Sequence, residues 1–108
     1  QYNREQPMKY IHTGIPLAEK LEGMVFAEPL KVWIKNEPAY NVEFLYFEID
    51  SPMAAAIQEC SHVAYDVEDI DAALAGKSVL WPKFDIGDAF IAFVYDKECV
   101  VEFYQKKK

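Results

Sequence analysis

The two histidines of this 108-residue chain, His12 and His62, stand 50 residues apart. Each lies in a run of strand-forming residues, Tyr10-Ile11-His12-Thr13 and Ser61-His62-Val63-Ala64-Tyr65. Each run is followed, further along, by the same tripeptide, Val42-Glu43-Phe44 in the first half and Val101-Glu102-Phe103 in the second. Imidazole nitrogen with carboxylate oxygen is a ligand set for a divalent metal of intermediate hardness. If the histidine strand and the glutamate strand of each half turn these side chains to the concave side of their sheet, two imidazoles and two carboxylates converge. Taken singly, a strand histidine is more often satisfied by a backbone partner, and a strand glutamate more often sits on a solvated face. Their recurrence at related positions favours a shared site. Glu48 lies five residues after Glu43 on the opposite face, and a bulge in that strand would exchange the two.

The elements that must position these groups follow from pattern. Residues 8–16 read as a strand closed by Gly14 and Pro16, and Leu17 to Glu22 supply at most a helical turn or two. Met24 to Ala27 and Leu30 to Lys35 are β-type runs separated by Glu28-Pro29, and Asn36 to Tyr40 is turn chemistry. The return strand, Asn41 to Ile49, places Glu43, Leu45 and Phe47 on one face. Met53 to Cys60 is a short helix or turn after Ser51-Pro52, and Ser61 to Val67 is a strand. In Asp69 to Gly76, Ile70, Ala73 and Leu74 form the apolar stripe of a helix that Gly76 terminates in a left-handed cap. The acidic group Asp66, Glu68, Asp69 and Asp71 reads as capping of that helix. Strands over Ser78–Trp81, Asp88–Tyr95 and Cys99–Gln105 complete the chain, with Pro82 and Gly87 in one loop and Asp96-Lys97-Glu98 turning the last hairpin. The order of elements in the first half recurs in the second, which predicts an α+β fold of two βαβββ modules, about 8–50 and 61–105, forming one curved, cup-like mixed β-sheet domain.

Composition narrows the partners. Eleven basic against 18 acidic residues give a net charge of -7, and one arginine, Arg4, is too little for a phosphate-binding face, so nucleic acid is excluded as a partner. No apolar run approaches the roughly 20 residues that span a bilayer, and residues 1–7 lack a hydrophobic signal core, so no membrane partner and a cytoplasmic location are expected. The chain opens on Gln1, which reads as a trimmed start, with Met8 as an alternative one. Cys60 and Cys99, in apolar contexts without a CxxC spacing, read as buried free thiols.

With Ser61 to Val67, Asp69 to Leu74, Ala89 to Asp96 and Val101-Glu102-Phe103, and with Ile11 to Pro16 and Val42 to Leu45, the chain resembles the vicinal oxygen chelate superfamily, which groups glyoxalases, bleomycin-resistance proteins and extradiol dioxygenases. The resemblance implies one glyoxalase-like domain over residues 1–108 with a divalent metal (nickel, manganese, iron, cobalt or zinc) at the cup centre. It implies His12, Glu43, His62 and Glu102 as metal ligands, with Glu43 preferred to Glu48 because it matches Glu102 within the repeated tripeptide. Glu43 or Glu102 would also be the catalytic base. A homodimer is expected by resemblance, and the first-half helix is shorter than the family norm.

The leading expectation is a small metal-dependent isomerase, epimerase or lyase that stabilises an enolate-like oxyanion of a small-molecule substrate. Glutathione-dependent chemistry is disfavoured, since only Arg4 could meet the thiol cofactor's carboxylates. Dioxygenase chemistry needs a triad that His12, His62 and Glu102 could supply, but a ligating Glu43 would occupy the position kept for oxygen. The alternative is a metal-free small-molecule binding protein of the bleomycin-resistance kind, with which the charge of -7 is compatible.

Overall fold

The computed structural model describes residues 6–108. The strands are β1 (Lys9–Pro16), β2 (Val25–Ala27), β3 (Val32–Glu37), β4 (Val42–Phe47), β5 (His62–Asp66), β6 (Ser78–Asp85), β7 (Ala89–Asp96) and β8 (Cys99–Lys106). Two short helices, α1 (Ala55–Glu59) and α2 (Ile70–Leu74), precede β5 and β6 respectively. All eight strands form one sheet in the order β2-β3-β4-β1-β5-β8-β7-β6. From the centre outward this is β1-β4-β3-β2 on one side and β5-β8-β7-β6 on the other, and the two sides meet where β1 pairs antiparallel with β5. β1 runs parallel to β4 and β5 parallel to β8; every other pairing is antiparallel.

The sheet is curled. Side chains from β2 at one edge to β7 near the other line a single cavity of about 230 Å³, whereas flat strands spaced by about 4.8 Å would hold them far apart. The concave face carries the larger apolar cluster, Leu30, Val32, Leu45, Met53, Ile57, Ile91, Phe93 and Val100. Met53 and Ile57 reach it because the chain between β4 and α1 is tied to the β2–β3 loop, the Ser51 hydroxyl donating to the Leu30 carbonyl at 2.6 Å. On the other face α2 packs Ile70 against Ala92, Val94 and Phe103. Its start is fixed by Asp69, whose carboxylate accepts from the Ala72 amide at 3.2 Å, and Gly76 leaves the helix at φ +75°.

Three expectations need correction. Residues Leu17 to Glu22 form turns and no helix, and Lys20 holds this segment to the sheet by standing 3.9 Å over the Trp33 ring. β6 does not stop at Trp81 but continues through Pro82 to Asp85. It is an edge strand, so a residue without an amide hydrogen is tolerated, and its pairing with β7 slips between Trp81 and Phe84. Cys60 and Cys99 are exposed: the first caps α1 and the second begins β8 beside the Lys97-Glu98 turn, so neither occupies an inward-facing mid-strand position. Arg4, the arginine of the charge argument, and most of residues 1–7 lie outside the described residues. Among the described residues no helix is long and apolar enough to cross a membrane.

Candidate metal centre

The four central strands, β4-β1-β5-β8, each contribute one of the four expected residues. Strand register explains why they meet. Glu43 pairs with Gly14, and Gly14 with His62, so one row across the sheet reads Glu43-Gly14-His62. His12 pairs with Ala64, and Ala64 with Glu102, so the adjacent row reads His12-Ala64-Glu102. His12 and Gly14 are two residues apart on β1, as are His62 and Ala64 on β5, so both rows project from the same concave face. Each row carries a histidine and a glutamate flanking one small residue. One nitrogen or oxygen from each of His12, Glu43, His62 and Glu102 lies within 4.8 Å of all the others.

Glu48 does not join them. Its carboxylate accepts from the Trp33 indole N–H at 2.6 Å, so of these two glutamates it is Glu43 that stands in the cluster.

Gly14 makes the first row possible. A Cβ at this position would lie 2.1 Å from His62 Cε1, 2.5 Å from Nε2 and 2.6 Å from Nδ1, so the imidazole occupies the space a side chain would take. Its backbone is not in the left-handed region that Gly23, Gly76 and Gly87 occupy, so space and not conformational freedom requires the glycine here. Ala64, fully buried, holds the equivalent place in the second row. Both small residues stand two positions after a histidine, and that His-x-Gly/Ala pattern is the signal by which the sequence could have disclosed them.

The cluster is buried to different depths. His62 is 2% exposed and meets Phe93 edge-on at 5.1 Å between ring centres and His12 at 5.7 Å. Glu102 Oε1 lies 3.1 Å from His62 Nε2 and 3.5 Å from His12 Nε2, while Glu43 Oε1 lies 3.4 Å from His12 Nε2. Despite these distances, His12 Nε2 and both ring nitrogens of His62 have no aligned hydrogen-bond partner. Buried nitrogens in native proteins are nearly always bonded. Three left open, next to two carboxylates, are what a ligand set looks like when its donors aim at a common point and not at one another, and a two-imidazole, two-carboxylate set fits a divalent ion.

In the metal-free protein the charges hold one another. Burial disfavours a charged His12, but the neighbouring carboxylates of Glu102 and Glu43 outweigh it and push its pKa from 6.5 up to about 10. Burial likewise opposes the Glu102 carboxylate, and the His12 and His62 imidazoles beside it overcome that, holding it below its ordinary 4.5. His12 therefore contributes stability that is complete below pH 6.5 and is lost as pH rises through about 10. Glu102 contributes stability present above pH 4.5 and lost as pH falls through its lowered value. A metal must displace the His12 proton, so uptake at pH 7 is expected to release close to one proton per ion, with apparent affinity rising about tenfold per pH unit from 7 toward 10. Calorimetry of metal binding in two buffers of different ionisation enthalpy counts that proton; a count of zero contradicts the pairing.

Two spaces meet at the cluster. The apolar cavity of about 230 Å³ is lined by His12, Glu43, His62 and Glu102 on one wall and by residues such as Leu45, Met53, Ile57 and Ile91 on the others. An open groove of about 710 Å³ reaches His12, Glu43 and Glu102 from outside, bordered by Lys9, Asn36, Asn41 and Lys106. Tyr104, two residues after Glu102, lines both. A further cleft of about 640 Å³, on the α2 side near Cys99 and Lys97, touches none of the four residues.

The class these observations define is a curled mixed β-sheet protein with a His/Glu cluster able to hold a metal ion at the centre of its concave face. Among solved structures, the chain is similar to the crystal structure of a hypothetical protein from Bacillus halodurans C-125, at 22% identity and a TM-score of 0.66 over 94% of this chain and 96% of that one. That likeness concerns the fold. No family model and no curated protein matches the chain.

Proposed function

We propose that this chain is a metal-dependent enzyme of the glyoxalase-like, vicinal oxygen chelate superfamily, of isomerase, epimerase or lyase type, acting on a small carbonyl compound. The observation that carries the reading is the pair of rows Glu43-Gly14-His62 and His12-Ala64-Glu102, one histidine and one glutamate from each half of the chain on one concave face. Two modules of βαβββ type, the first with its helix reduced to turns, account for the mirrored strand order and make one domain. A divalent ion held by these four residues would supply Lewis-acid stabilisation of negative charge on a substrate oxygen.

The two glutamates then differ in role. Glu102 stands between both imidazoles and is the more buried, so it anchors the site. Glu43 pairs only with His12 and is the more exposed of the two, so it is the one free to take a proton from the carbon next to the carbonyl and return it. Its presence in the cluster also weighs against dioxygenase chemistry, which needs that position open. A homodimer belongs to the same proposal; sedimentation velocity tests it, a two-chain mass supporting it and a one-chain mass removing it.

The test is solvent exchange. Protein loaded with nickel, manganese, cobalt or zinc is expected to catalyse deuterium incorporation next to the carbonyl of acetoin, dihydroxyacetone or 2-oxobutyrate in heavy water, followed by proton NMR. Exchange should fall at least about 100-fold in Glu43→Gln, at the low end of what a positioned general base supplies, compared at metal concentrations high enough to fill the site of the variant. Metal bound with no exchange on any probe would favour the alternative, a small-molecule binding protein.

A further inference from the structure

We infer that the ligand of this site carries an uncharged apolar body, about the size of one six-membered ring, that enters the inner cavity, and that ligands with an anionic tail are excluded. The inference rests on the proposed metal site for the donor end of the ligand and on the cavity for the rest.

Three observations carry it. The cavity is lined, apart from the four cluster residues and Tyr104, entirely by apolar side chains, among them Leu30, Leu45, Met53, Ile57, Ile91 and Phe93. Among the described residues no lysine or arginine lines the cavity, and Lys9 and Lys106 border the outer groove instead. A carboxylate or phosphate pushed inward would lose its water with nothing to pair it. Two carboxylates, two neutral imidazoles and a divalent ion also sum to zero, so the loaded cluster leaves no positive charge over for a second anionic group. Size agrees: an engineered apolar cavity of about 150 Å³ holds benzene, so about 230 Å³ has room for a ring with a short substituent. The cavity opens on the cluster through the wall formed by His12, Glu43, His62 and Glu102, so a ligand whose oxygens meet those residues has its body already directed inward.

The experiment uses cobalt-loaded protein and three hydroxamates, acetohydroxamate, benzohydroxamate and 4-carboxybenzohydroxamate, each corrected for its affinity for cobalt in water. The cobalt visible spectrum reads binding. Benzohydroxamate is expected to bind at least about tenfold tighter than acetohydroxamate, since each buried methylene-sized group is worth roughly fourfold. The 4-carboxy compound is expected to lose at least that factor again. Ile91→Phe, which fills the cavity away from the cluster, should erase the preference for the ring while cobalt still binds. Equal corrected affinities for all three probes on cobalt-loaded protein would overturn the inference and leave the metal site standing. Failure to bind cobalt would remove the metal site; benzyl alcohol titrated into the metal-free protein then decides the cavity, saturable shifts of the Met53 and Ile57 methyl resonances supporting an apolar ligand and their absence overturning it.

Discussion

Gly14→Ala is expected to lower metal affinity at least about 100-fold, the upper end of what disturbing a ligand's support does, although it adds a single methyl group to a strand that otherwise favours alanine over glycine. The added carbon would stand 2.1 Å from the His62 ring, and the ring has nowhere to go. It is 2% exposed, with Phe93 and His12 against it. Overpacking of this kind costs about 1–3 kcal/mol in stability. Two comparisons separate this from a general weakening. Gly87→Ala, at φ +109° with open space around it, should strain the backbone by a similar amount and leave metal binding intact. Gly14→Ala combined with His62→Ala should recover most of the stability lost by Gly14→Ala alone, because the methyl group then has room. A stability measurement by urea unfolding of the four proteins in that cycle should show a coupling of about 1–3 kcal/mol; additivity would mean that Gly14 does not support His62.

The second large effect is expected from the metal itself. Saturation at about 1,000 times the dissociation constant stabilises a folded protein by roughly 4 kcal/mol, which for a domain of about 100 residues raises Tm by about 15–30 °C. Glu102→Gln should abolish most of that rise. Glu102 is the one carboxylate within reach of both imidazoles, at 3.1 and 3.5 Å, and an amide supplies neither its negative charge nor its affinity for a divalent ion. The same change should bring the His12 pKa down from about 10, because Glu102 is one of the two carboxylates holding it up. Scanning calorimetry with and without metal, on the native protein and the variant, reads the first effect; NMR titration of the His12 ring in the metal-free variant reads the second. An undiminished Tm rise in Glu102→Gln would place the ion elsewhere.

Much of the site was legible in the sequence because it is written twice. His12 with Glu43 and His62 with Glu102 recur in matching strands, and alternation along β4 and β8 puts both glutamates on the buried face. Strand pairing could not be read from one strand at a time, and it is the pairing that makes Gly14 and Ala64 part of the site: each lies between a histidine and a glutamate supplied by other strands. The inner cavity was hidden for the same reason, since its walls come from most of the sheet and from α1. Local signals misled where tertiary position prevailed. Pro82 reads as a breaker yet sits in β6, whose outer edge has no partner to miss its amide. Cys60 and Cys99 fall at the end of α1 and the start of β8, where the chain is exposed, so the buried position expected of a free thiol does not hold for either. Asp69, by contrast, caps α2 as its local pattern requires, because the capping contact is itself local.

Elemental analysis of untagged protein, native and His12→Ala/His62→Ala, decides whether these residues hold an ion. Close to one equivalent of divalent metal per chain is expected in the native protein and almost none in the double variant. Little metal in the native protein, even after incubation with nickel, manganese, iron, cobalt or zinc, would contradict that expectation.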